Sequence, residues 1–291
     1  MIRAAISLAA LAAASFAGPA AAADCDRACL KAIADGYFEA LARHDASGLP
    51  LAPAATFTEN GAAMKLGDGF WKTAGRAGYR MDLFDPDNGD VGVQAVVQEK
   101  DAQALYVVRL KVKDRRITEI ETVVVRKGDY GALWGVERMK EVSPNFKLSI
   151  RKAEQNSRYE LMAAGDAYFR AFETNGSPDY RPAPLLPSTV RHENGVQTTL
   201  ASFAGAPPST AAEQFDSGRF KGATIYDRRY PVVDTERGVV MSIVRFGPRP
   251  ATPTRAADAP LVAEIFAVQA GKIVEVEVAL IVRPVGSPTG W

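Results

Sequence analysis

Apolar positions recur at helical spacing between Asp24 and Ala42, at Leu30, Ile33, Tyr37, Phe38 and Leu41, and predict a first helix. Gly48, Pro50 and Pro53 end that pattern, and Ala55 to Glu59 then reads as a short strand closing on the turn pair Asn60-Gly61. A Gly-rich aromatic segment, Leu66 to Gly75, reads as a loop or short helix over the mouth of the unit. Strand-like stretches follow at Tyr79 to Phe84, Val91 to Gln98, Leu105 to Val112 and Ile117 to Arg126. Gly128 to Leu148 carries no period and reads as a crossing. The pattern then restarts: a helix over Ala153 to Phe172, a Pro-rich passage to Pro187, a strand ending in His192-Glu193-Asn194-Gly195, and strands near Thr224 to Val233, Val239 to Phe246, Leu261 to Val268 and Ile273 to Val282. Gly195 to Gly222 and Pro248 to Ala259 have no partner in the first half, and both are expected to be long loops.

The restart is a duplication, because DGYFEAL with FTENG returns as DAYFRAF with RHENG, and ITEIE returns as IVEVE. Tyr37 answers to Tyr168 and Glu59 to Glu193. The repeat is far longer than a solenoid period of roughly 20–50 residues, so it predicts two copies of one domain. One helix followed by a meander of strands is an α+β pattern, with the helix covering one face of a bent sheet. The expected division is 24–148 for the first domain and 149–291 for the second, packed as an intramolecular pseudo-dimer.

Residues 1–23 stand apart, with Arg3, an apolar Ala/Leu/Ile run, the break at Gly18-Pro19 and small residues before Asp24. This is the layout of a secretory signal peptide, and it places the mature chain in the periplasm or outside the cell, free of the membrane once cleaved. Lipidation at Cys25 is disfavoured by Asp24 immediately before it. With 35 basic and 34 acidic residues the chain has no global field to attract nucleic acid or an anionic membrane, so a small neutral or amphiphilic molecule is the expected partner. Cys25 and Cys29, four apart, suit a local disulfide in an oxidising compartment, with free thiols the next reading and a metal site the last. Two histidines, His44 and His192, are too few for a multi-histidine zinc centre, and no metal is expected.

A helix carrying Tyr-x-x-Ala-Leu with a following Asp, a short strand of the form Ala-Thr-apolar-x-acid and a curved four-stranded meander resemble the NTF2-like superfamily, which includes ketosteroid isomerase and the SnoaL-like cyclases. The chain as a whole resembles the tandem-domain DUF8021 family. The resemblance implies two cone-shaped α+β domains and cofactor-independent acid–base chemistry. It places Tyr37 and Tyr168 at an oxyanion-binding position on the helix, and Glu59 and Glu193 at a general-base position on the first strand. Glu264 falls near a second acid, where the first copy has Val108, so the second domain is the better candidate for a complete site. Such a pair suits removal of a proton beside a carbonyl: a phenol steadies the developing oxyanion while a desolvated carboxylate takes the proton.

Adjacent strand residues face opposite ways, so of His192 and Glu193 only one is expected in the pocket, and the resemblance favours Glu193. Trp71, Asn60, Asn194, Tyr230, Arg228 and Asp234 are candidates for the pocket rim. The competing readings are structural: the tyrosines as amphipathic core residues, the Glu-Asn-Gly triplets as turn punctuation, Trp71 as a core plug and Asp234 as a turn residue. Glu119, Glu121, Glu275 and Glu277 alternate with apolar residues and read as the solvent face of half-buried strands. The expected function is a lyase, isomerase or dehydratase acting on an apolar or aromatic hydroxy or carbonyl compound, with Tyr168, Glu193 and Glu264 or His192 at its site. Tyr37 and Glu59 stand as a second or degenerate site. The rival is a non-catalytic periplasmic ligand-binding or assembly module.

Overall fold

The computed structural model describes residues 25–130, 133–247, 257–288 and 290. The predicted signal peptide and most of Pro248 to Ala259 lie outside them. Helix α1 spans Arg27–Arg43; Asp26 caps it by accepting from Cys29 N, and Leu30, Ile33, Tyr37, Phe38 and Leu41 form its buried stripe. His44 ends the helix in the left-handed region and contacts Ala74 O through Nε2. Cys25 and Cys29 are joined in a disulfide.

The first sheet contains β1 (Leu51–Glu59), β2 (Ala62–Ala63), β3 (Ala74–Asp85), β4 (Asp90–Glu99), β5 (Ala102–Lys113) and β6 (Arg116–Val125), in the order β2-β1-β6-β5-β4-β3. Only β1 and β6 run parallel. After α2 (Arg158–Glu173), the second sheet repeats the arrangement with β7 (Leu185–Glu193), β8 (Val196–Gln197), β9 (Ile225–Asp234), β10 (Val239–Phe246), β11 (Asp258–Gln269) and β12 (Lys272–Pro284), ordered β8-β7-β12-β11-β10-β9. Each sheet curves around its helix, giving two tandem α+β cones.

Two sequence readings are corrected here. Pro53 does not precede β1 but sits inside it, where pairing with β6 shifts register between Leu51 and Thr56; an unpaired stretch is where a strand tolerates a missing donor. The second-copy segment 195–222 is not all loop: it holds β8 and a third helix, α3 (Ala211–Asp216), started by a Thr210/Glu213 capping box.

The sheets pack back to back, so strands are apolar on both faces. In β5, Tyr106, Val108 and Leu110 face their own helix, while Leu105 and Val107 join Met241, Ile243, Ala263 and Ile265 between the sheets. This changes the reading of the alternating glutamates. Glu121, Glu275 and Glu277 are buried in the seam between the domains rather than facing solvent. The strand period was right, but the far face meets a second sheet instead of water.

The seam is reciprocal, as a two-fold interface requires. Asp85 at the end of β3 accepts from Val233 N (3.1 Å) and from Arg158 at the start of α2 (2.5 Å). Asp234 at the end of β9 accepts from Phe84 N (3.1 Å) and from Arg27 at the start of α1 (3.0 and 2.8 Å). Asp234 therefore does not line a pocket rim. It locks domain 2 to domain 1, and its turn role survives only in its bond from Arg237 N.

Candidate functional site

The second cone holds a cavity of about 530 Å³. Tyr168, Arg191 and Glu264 form its floor, and Phe172, Phe246, Val262, Val278 and Leu280 its walls. Glu193 also lines it, and Arg219 to Thr224 with Tyr130 border the opening. Tyr168 and Glu193 thus converge on one space. Tyr168 reaches it from the buried face of α2, where its ring packs edge-on against Phe172, Phe215 and Phe266.

Arg191, which sequence reasoning missed, organises the floor. It is two residues before Glu193 on β7 and so shares its face. Its Nε donates to Thr198 Oγ1 (3.0 Å) and lies 2.9 Å from Glu193 Oε1; Nη1 donates to the Tyr168 hydroxyl (3.3 Å), and Nη2 donates to Gln214 Oε1. Gln214 stands on α3 and is itself held through Nε2, which donates to Thr198 O (2.5 Å). The insertion unique to the second copy therefore fixes the guanidinium, and Thr198 Oγ1 donates to Glu193 Oε1 (3.1 Å). The signal was present in the sequence: an arginine in TVRHE stands where ATFTE has the apolar Phe57.

Glu264 is 3% exposed. Burial pushes its carboxyl up to about 8; Arg191 opposes the rise, Glu193 adds to it, and a hydrogen bond with the Tyr168 hydroxyl opposes it. At neutral pH Glu264 is therefore a protonated donor. Burial also raises the Tyr168 phenol, against the pull of Arg191, so it too keeps its proton.

Strand pairing gives an internal comparison. Arg191 pairs with Val276 and Glu264 with Val278; in domain 1 the matching pairs are Phe57 with Ile120 and Val108 with Thr122. By the same register Val262 on the cavity wall corresponds to Tyr106. Domain 1 thus has Phe57, Val108 and Tyr106 where domain 2 has Arg191, Glu264 and Val262.

The aromatic residues fill the first cone. Tyr106 stacks on Phe70 and bonds the Tyr37 hydroxyl at 2.6 Å, and Trp71 Nε1 donates to the same hydroxyl (3.3 Å). Trp71 is 1% exposed, a core plug rather than a binding residue. Glu59 accepts from Phe70 N (2.8 Å), anchoring the 3-10 turn Gly69–Lys72; a Cβ at Gly69, whose φ is positive, would lie 2.5 Å from Glu59 Oε2. Tyr37 and Glu59 therefore close their cone instead of lining an open one. Tyr37→Phe is expected to cost about 1–3 kcal/mol by stranding the buried Trp71 N–H and Tyr106 hydroxyl, measured by urea unfolding.

The other candidates are structural. Asn60 and Asn194 occupy the left-handed turn position, and each side chain both donates to and accepts from one backbone residue across the sheet, Val124 and Leu280 respectively. Their amides are consumed as latches between the β1–β2 or β7–β8 turn and the neighbouring strand. Arg228 pairs with Asp166 (2.8 Å) and Glu173, and the Tyr230 hydroxyl donates to Asp166 (3.4 Å), tying β9 to α2 outside the cavity. His192 points away from the cavity into the seam, where Nδ1 lies 2.9 Å from Glu277 Oε1.

The chain matches the family described as a domain of unknown function, DUF8021, over residues 23–124 and 154–280. Among curated proteins none gives a significant match. Solved structures similar to parts of the chain include a steroid delta-isomerase from Pseudomonas aeruginosa, at 22% identity over 35% of this chain and 82% of that one, TM-score 0.28. An LEH-like epoxide hydrolase from M. tuberculosis is similar at 15% identity over 42% and 83%, TM-score 0.27.

Proposed function

The chain belongs to the DUF8021 family, and within its tandem fold we propose that the second domain is a cofactor-independent lyase, isomerase or dehydratase of an exported protein, acting on a small, largely apolar hydroxy or carbonyl compound. One observation carries the reading. A Tyr hydroxyl, a buried carboxyl with a pKa of about 8 and an Arg-paired carboxylate meet at the floor of one cavity with apolar walls. Neutral Glu264 and Tyr168 are donors suited to an oxygen on which charge develops, and Arg191 primes the phenol by donating to it. Glu193, on the same cavity lining, takes the proton from carbon or hydroxyl. Arg191 balances Glu193, so the floor is near neutral while Glu264 holds its proton, which favours an uncharged substrate.

The test is turnover of a panel of aromatic and alicyclic alcohols and ketones, followed by absorbance. The wild type is expected to convert at least one compound. Glu193→Gln, which can still accept from Arg191 and Thr198, is expected to reduce the rate about 10²–10⁴-fold and to cost about 1–3 kcal/mol of stability, because the buried Arg191 keeps its hydrogen bonds but loses its charge partner. Glu59→Gln is expected to leave the rate intact. Binding without turnover throughout the panel would favour a ligand-binding module, and loss of fold in Glu193→Gln would make that residue structural.

A further inference from the structure

The seam between the sheets contains two pseudo-equivalent glutamate pairs, and they are compensated differently. In domain 1, Arg109 Nη1 lies 2.7 Å from Glu119 and 3.8 Å from Glu121, and Arg229 of domain 2 reaches across to fork onto Glu121. In domain 2 the matching residues are Glu275 and Glu277 on β12, 4% and 7% exposed, but register puts Ile265 where Arg109 stands. Among the described residues, His192 is the one basic side chain within salt-bridge distance of either carboxylate. Their other partners are neutral donors. Ser143 Oγ (2.5 Å) and Asn145 Nδ2 (2.8 Å) bond Glu275, and Gln94 Nε2 (3.3 Å) reaches Glu277 from domain 1. Arg138 borders the same space without pairing with either.

Two buried carboxylates sharing one imidazole are undercompensated, since a buried charge without a close partner carries a large desolvation cost. Three details point to a cation. One ligand atom each from His192, Glu275 and Glu277 lie within 4.8 Å of one another. The buried His192 Nδ1 sits 2.9 Å from Glu277 Oε1, and Gln94, fully buried beside Glu277, has no partner for its Oε1. A cavity of about 290 Å³, bordered by Tyr79, Arg138 and Ser143, opens onto all three groups and admits solvent ligands. The 2.9 Å between His192 Nδ1 and Glu277 Oε1 suits neighbouring positions on an ion bound at about 2.0–2.2 Å, with Glu275 within 4.8 Å of both to close in as a third ligand.

We propose that His192, Glu275 and Glu277 form a divalent transition-metal site at the domain seam, completed by water from the cavity. An imidazole with two carboxylates fits Zn²⁺ or a neighbouring ion better than Mg²⁺ or Ca²⁺, which prefer oxygen alone. The ion fastens β7 to β12, and through Ser143, Asn145 and Gln94 it couples both to the interdomain crossing and to domain 1. The site lies on the opposite face of β7 from Arg191 and Glu193, so it is independent of the acid–base pocket.

The test is metal content of the untagged protein, stripped with a chelator, equilibrated with Zn²⁺ and read by atomic emission, alongside its melting temperature. One Zn²⁺ per chain and a raised melting temperature are expected, with neither reproduced by Mg²⁺. His192→Gln and Glu277→Gln are each expected to weaken binding by more than about tenfold, with folding checked by circular dichroism, while Glu193→Gln retains the ion. His192 is partly exposed, so its variant serves should Glu277→Gln fail to fold. Absence of stoichiometric uptake by the wild type, or full retention in His192→Gln, overturns the site.

Discussion

Arg191→Met is expected to abolish ligand binding and turnover and to destabilise the protein by about 3–5 kcal/mol, the usual consequence of removing one member of a buried ion pair. The guanidinium is 4% exposed and serves Tyr168, Glu193, Thr198 and Gln214 together, so its loss strands a carboxylate and an amide at the base of the cone. The double variant Arg191→Phe with Glu264→Val copies the residues of domain 1. It is expected to recover part of the stability and none of the binding, which separates the chemical role from the packing role. Urea unfolding and a ligand-dependent melting shift give the two readouts. A single variant that keeps both stability and binding would contradict the site.

Asp234→Ala is expected to cost a similar 3–5 kcal/mol by a different route. Its buried carboxylate accepts two bonds from Arg27, one from Phe84 N and one from Arg237 N, so truncation leaves the Phe84 N–H unpaired across the seam and a half-buried guanidinium with only the more distant Glu236 (3.6 Å). Because the seam is reciprocal, Asp85→Ala should cause a comparable loss through Arg158 and Val233. Scanning calorimetry checks both. A loss below about 1 kcal/mol in either would mean that the apolar packing between the sheets holds the domains without these locks.

Much of the fold was legible in the periodicity. The α1 stripe, the meanders and the duplicated DGYFEAL and DAYFRAF helices all appear where the apolar spacing put them. Strand alternation also placed His192 and Glu193 on opposite faces without saying which faces inward; the preference for Glu193 came from the family resemblance, and in the structure Glu193 lines the cavity while His192 faces the seam. What the sequence hid were facts about partners. Alternation in ITEIE and IVEVE marks one face as polar without saying whether water or a second sheet lies beyond it. Asp234 carries turn chemistry and an interdomain lock at once, and only the lock depends on residues far away in the chain. Arg191 stood in plain view beside Glu193, but a charged residue on the inward face is expected outside until α3 is known to supply Gln214. The difference between a filled and an open cone rests on Tyr106 against Val262, a comparison that needs the register.

Titration of Glu264 tests the central claim most directly. With glutamate side chains labelled with ¹³C, the carboxyl resonance missing from Glu264→Gln should titrate with a midpoint of about 8, far above the ordinary value of 4.5. The sign extends to stability. Between those two values the folded state holds a proton that the unfolded chain has released, so the wild type should lose roughly 1.4 kcal/mol per pH unit relative to Glu264→Gln as pH rises, with the loss levelling off above about 8. A midpoint near 4.5 with no difference in pH dependence would mean that Glu264 is an ordinary ionised carboxylate, and the donor half of the proposed chemistry would be lost.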